Sequence, residues 1–201
     1  VLEYIELRHW TWEVSAPVEY VSVGLRVVVA VVFCVSAASK LRGVSAFREF
    51  RAAVAQLAPP LKGVRGPVAV VVIAAEVVAA VLMLLAPLAG FVLAFVLLAA
   101  FTAGLAGVLR RGVSASCRCF GGGAAPVRGR HVWRNAVLLV VAGAGVAVPA
   151  GGVLAAPGVM VAVAAGAVAA VLVVRWDDLA EVLVPGPASA RVSARSSGKG
   201  E

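Results

Sequence analysis

Polar side chains are scarce in this chain of 201 residues. Asp, Glu, Lys and Arg together make up 14%, aromatic residues account for 6%, Asn135 is the only asparagine and Gln56 the only glutamine. A soluble domain carries about a quarter charged residues, and its core could not bury the 62% of this chain that is apolar. With a mean hydropathy of +1.02, the composition excludes a water-soluble protein and implies an integral membrane one. Four or five helices of about 20 residues would consume more than half the length, leaving no room for a sizeable extramembrane domain. No internal repeat is present.

What is there is mostly Ala, Val, Leu and Gly, arranged in apolar stretches. Hydropathy predicts five spans, at about 18–38, 67–86, 88–109, 132–148 and 153–174. Residues 1–17 hold Glu3, Glu6 and Glu13 with Trp10 and Trp12. This acidic start is unlike a signal peptide, so an external or interfacial segment is expected, its tryptophans at headgroup level. Between spans one and two, Val44, Phe47, Phe50, Val54 and Leu57 recur every three or four residues, with Arg48 and Arg51 on the other side. That spacing predicts an amphipathic helix at about 44–58 on the inner membrane face, ended by Pro59 and Pro60. The Pro/Ser/Gly/Arg composition of the tail, 175–201, predicts a polar, disordered cytoplasmic segment.

Eighteen Lys and Arg against ten Asp and Glu give a net charge of +8 and a pI near 10.5. Six of the basic residues fall between spans one and two, six around the connection between spans three and four, and four after span five. The two short connections on the opposite side have none. Basic residues collect on the cytoplasmic side, so the expected protein is a multi-pass cytoplasmic-membrane protein with its N-terminus outside and its C-terminus inside. Topology accounts for the charge, and no nucleic-acid partner is implied; the lipid bilayer is the expected surrounding.

The few departures from the apolar background are the candidates for chemistry. Cys117 and Cys119, in the connection before span four, could close a small strained disulfide of the kind that exchanges readily. Arg118 between them favours the thiolate, the species that attacks a disulfide. Two idle reduced thiols would also fit, as would a zinc site using Cys117, Cys119 and His131, although only Cys34 offers a fourth ligand and no metal is expected. Cys34 lies about four residues, roughly 6 Å, from the inner end of span one. It could resolve a disulfide or serve as a small apolar side chain.

Arg26 and Glu76 are ionisable groups inside spans one and two, roughly 18 and 14 Å from the inner surface. Charges at such depth normally face the bundle interior. They could pair with each other as a structural bridge or line a polar pocket for a substrate, proton or quinone. Arg134 and Asn135 open span four, where Asn135 could orient the preceding connection through its side-chain amide.

Taken together these residues resemble the MauE family of methylamine-utilisation membrane proteins. The resemblance rests on Phe33-x-x-Ser36-x-x-Ser39-Lys40-Leu41 closing span one, the Phe47-x-x-Phe50 segment, Glu76, Ser116-Cys117-x-Cys119-Phe120-Gly121, and Arg134-Asn135. It implies an all-α polytopic bundle with a DoxX-like four-helix core, here within 18–174 and extended by one further span. It also implies a redox role in maturation or export of the small, disulfide-rich subunit of methylamine dehydrogenase. Cys117 and Cys119 would then be the redox pair, with Phe120, Gly121, Lys40, Arg134 and Asn135 supporting them. Arg118 stands where family members often carry a small residue.

The expected activity is thiol–disulfide exchange with an extracytoplasmic protein partner, a dehydrogenase subunit or a thioredoxin-like protein. No cofactor is fixed by the sequence; a quinone is a candidate occupant. A non-redox transporter or assembly factor with a pocket at Arg26 and Glu76 is the competing expectation. Topology adds a constraint, because an external partner calls for external thiols while the charge bias places Cys117 and Cys119 inside. Either Cys34 relays electrons through the bundle, or the connection folds back into it, as Gly121–Gly123 would permit.

Overall fold

The computed structural model describes the backbone of residues 2–58, 63–111, 129–148 and 154–176, and the side chains of these from residue 18 onward apart from 129–131. Cys117, Cys119, Phe120 and Gly121, like the tail from 177, lie outside the described residues. Six helices, and no strand among the described residues, make up the fold: α1 (Leu2–Leu41), α2 (Val44–Leu57), α3 (Arg65–Leu85), α4 (Pro87–Arg110), α5 (Gly129–Ala147) and α6 (Ala156–Val174).

Four of these contain stretches long and apolar enough to cross a membrane: Val18–Leu41, Arg65–Leu85, Pro87–Arg110 and Ala156–Val174. The protein is a multi-pass membrane protein. Helix α5 contributes a further apolar stretch, Val132–Ala147, with Arg134 and Asn135 near its start. The segment before span one is also not separate: α1 is a single helix from Leu2, continuing through Pro17 into the span.

Helices α3 and α4 form a hairpin joined by Ala86 alone. Ala86 N–H donates to Leu82 O at 2.8 Å, closing α3, while Pro87 supplies the first residue of α4, where a missing N–H costs no helical bond. The turn is so tight that a Cβ on Gly90 would stand 2.9 Å from the backbone nitrogen of Met83.

The main core joins α1, α3, α4 and α5 through Val29, Val32, Phe33, Ala79, Met83, Phe91, Leu98, Leu138 and Ala142. Aliphatic side chains on the outer faces, such as Leu84, Leu85, Val140 and Met160, are exposed, as lipid contact requires. Helix α2 is amphipathic, but its apolar face is docked. Phe50, Val54, Ala69 and Ile73 form a second cluster, backed by Phe101, so α2 packs on the first half of α3 in the space beyond the end of α1.

Helix α6 packs on α1, and the two run in the same direction. Ala155 N–H donates to Tyr20 Oη at 3.1 Å near the start of α6, and further along Gly166 meets Gly24. A Cβ on Gly166 would come within 2.6 Å of Gly24 O, so glycine is what allows the backbones to approach this closely. Since α1 and α6 are parallel, the four helices α1, α3, α4 and α5 must alternate, and the chain traverses the bundle five times. Helix α5 runs back along α4, with Gly143 against Phe95 and Gly145 against Phe91.

Candidate functional site

Along α1, Ser22, Arg26, Val29, Phe33, Ser36 and Lys40 follow at intervals of four and three residues, which places them on one face of the helix. Val29 and Phe33, 1% and 4% exposed, form an apolar block that divides this face into two polar ends.

At the α1 C-terminal end, Lys40 Nζ lies 2.5 Å from Glu76 Oε1 of α3 and donates to Ser36 Oγ at 2.7 Å. The Ser36 hydroxyl donates to the same Glu76 oxygen at 3.1 Å, and Ser39 Oγ donates to Ser36 O at 2.7 Å. Lys40 and Glu76 are 2% and 1% exposed. The ammonium also lies 4.8 Å from the Phe50 ring centroid and 5.5 Å from that of Phe101, so α2 and α4 cover it with aromatic faces.

A lysine in the last turn of α1 is placed favourably for the negative end of the helix dipole. Glu76, about 17 Å along α3 from Arg65, lies deep in the apolar region and is neutralised there by Lys40. Such a pair is costly to bury and far costlier to break, because the remaining charge would have no partner. Glu76 Oε2 is buried and finds no hydrogen-bond donor among the described residues.

The proposed alternative partner of Glu76 is elsewhere. Arg26 Nη2 donates to Ser22 Oγ at 3.3 Å, and fourteen residues of α1, about 21 Å of helix, separate it from Lys40. An Arg26–Glu76 pair is thus replaced by Lys40–Glu76, since Lys40 sits level with the middle of α3 once α1 extends to Leu41. Cys34 is exposed on the outer surface of the bundle. Arg134 and Asn135 are buried in the first turns of α5. Sequence reasoning treated Lys40 only as a supporting residue and assigned no role to Ser36, Ser39, Phe50 or Phe101 as a cluster. The signal was the four-residue step from Ser36 to Lys40 on the Arg26 face.

The family model described as methylamine utilisation protein MauE matches residues 18–148. The chain belongs to the MauE family. No curated protein and no solved structure matches it. The MauE region takes in the whole Lys40–Glu76–Ser36 cluster, both aromatic covers and the Ser116–Gly121 motif. Helix α6 and the tail lie beyond it.

The connection bearing that motif leaves α4 after Arg111, at the same end of the bundle as α2. Arg111 Nη2 donates to Gln56 O at 2.9 Å, and Leu57 packs on Gly104, joining the last turn of α2 to the end of α4.

Proposed function

We propose that this MauE-family protein is a membrane thiol–disulfide redox protein that assists maturation of an extracytoplasmic partner. By family, that partner is the disulfide-rich small subunit of methylamine dehydrogenase or a thioredoxin-like protein serving it. The observation that carries the reading is the Cys117-x-Cys119 pair within a MauE-family chain. In the exchange, the thiolate of one cysteine attacks a partner disulfide and forms a mixed disulfide while the partner's other sulfur leaves as a thiolate. The second cysteine then attacks the mixed bond, so Cys117 and Cys119 end as a disulfide and the partner as a dithiol. The reverse sequence oxidises the partner, with two electrons and two protons moving the other way.

The bundle supports this reading by joining α2 to the end of α4, from which the cysteine-bearing connection departs. The basic residues orient this end toward the cytoplasm, so exchange with an extracytoplasmic partner runs either through a relay across the bundle or through a cysteine connection that folds back into it. Cys34 could join the relay only from the outer surface of the bundle, where its side chain is exposed. The competing transporter reading is weakened because Arg26 and Glu76 occupy separate places and Glu76 is already neutralised by Lys40.

Changing Cys117 and Cys119 together to serine is expected to abolish partner maturation while membrane insertion and helix content are unchanged. Maturation at the wild-type level in that variant would overturn the redox reading. Loss of function confined to Glu76→Gln, with the cysteine pair dispensable, would instead favour the transporter.

A further inference from the structure

We propose that Arg51, on α2, is the centre of a binding site for the phosphate group of an anionic phospholipid. On α2, Phe50, Ala53, Val54 and Ala55 are buried against the bundle and Arg48 is exposed. Arg51 lies between these two faces. Its side chain is half-buried, its guanidinium sits 6.0 Å from the Phe47 ring centroid, and its Nε is shut off from solvent with no acceptor among the described residues. An arginine held at an apolar boundary beside an aromatic ring, with no carboxylate partner among the described residues, is matched by an acceptor from the surrounding phase at the part of its guanidinium that is not buried. At the edge of a bilayer that acceptor is a headgroup phosphate, whose oxygens fit the guanidinium fork.

The surrounding charge fits an anionic headgroup. Arg42 follows α1, Arg65 opens α3, and Arg110 and Arg111 close α4, so α1, α3 and α4 all deliver arginines to the end of the bundle where α2 lies. Glu49 is the only acid on α2. Topological bias requires basic residues on this side but not the partial burial of one of them. The basic end attracts anionic lipid in general, whereas Arg51 holds one headgroup at a defined place beside Phe47. The site is independent of the cysteine chemistry.

The test uses the full chain in nanodiscs made from equal parts phosphatidylglycerol and phosphatidylcholine, with lipids that remain bound on release identified by native mass spectrometry. Wild-type protein is expected to retain phosphatidylglycerol preferentially, and Arg51→Gln to lose that preference by about fivefold, the effect of one interfacial cation. Arg48→Gln, on the exposed face, is expected to change it by less than half as much. Added inorganic phosphate is expected not to displace the lipid. Equal effects of Arg51→Gln and Arg48→Gln would reduce the site to diffuse attraction and overturn it. Displacement by inorganic phosphate, or no preference in the wild type, would overturn it as well. If Arg51→Gln does not assemble, Arg51→Lys keeps the charge without the fork. It is expected to weaken retention, and wild-type retention in that variant would sink the proposal.

Discussion

Ser36 and Lys40 stand one turn apart on α1 and converge on a single oxygen, Glu76 Oε1, while each also bonds the other. Two helices are thereby fastened by three polar groups in a region where almost every neighbour is apolar. The pairing is selective about register: a shift of α1 by one residue against α3 would turn Lys40 out of reach.

Breaking this pair is expected to cost more than removing it. Glu76→Gln or Lys40→Met alone should destabilise the protein by about 3–5 kcal/mol, because each leaves a buried charge without its counter-charge. The double variant Lys40→Met/Glu76→Leu should recover most of that loss. Denaturant unfolding in detergent micelles measures all three, and additive losses in the double variant would contradict a coupled pair.

The contact between α1 and α6 is expected to depend on Gly166. Valine there would drive a side chain into Gly24 O and Val27, costing about 1–3 kcal/mol and separating the two helices. Spin labels on the outer faces of α1 and α6 should move apart, while a pair on α3 and α4 should keep its distance. An unchanged α1–α6 distance would show that the close approach is not what holds α6.

Gly90→Ala is expected to open the α3–α4 hairpin. The added carbon meets backbone atoms of Leu82 and Met83, which cannot turn aside as a side chain could, and the cost is about 1–3 kcal/mol. The thermal midpoint in micelles should fall, and Gly63→Ala, where a Cβ meets nothing within 4 Å, should leave it where it was.

Cys34 is expected to react from the lipid phase. With Cys117 and Cys119 changed to serine, a membrane-partitioning maleimide should label it and a charged maleimide should not, since its side chain is exposed within an apolar span. Equal labelling by both reagents would mean that water reaches this face.

Sidedness is expected to follow the basic residues. In sealed right-side-out vesicles of a Cys34→Ser variant, a charged maleimide should reach Cys117 and Cys119 only after the membrane is opened. Labelling of intact vesicles would reverse the orientation.

The apolar stretches were legible because hydropathy reports burial in lipid directly, and the three- and four-residue spacing of Phe47, Phe50 and Val54 marked α2 as amphipathic. What α2's apolar face meets was not legible. Phe50 and Ile73 are far apart in sequence, and only the early end of α1 creates the space in which they touch. The depth of Glu76 announced a buried partner, yet Arg26 and Lys40 were both basic residues on the same face of α1. Choosing between them required knowing how far α1 slides along α3, which no local pattern encodes. Arg26 lost because the helix runs on to Leu41, carrying Lys40 to the level of Glu76.

A chain that crosses a bundle an even number of times returns to the side where it began. The four crossing helices of the family-matched region do so, leaving residue 148 at the end of the bundle opposite the one toward which α1 runs. Helix α6, laid parallel to α1, reverses that outcome. It carries the chain back across, so that Arg175 emerges on the side of the bundle toward which α1 runs. The added helix works as a return route as well as a packing element: it ends on the opposite side of the bundle from residue 148.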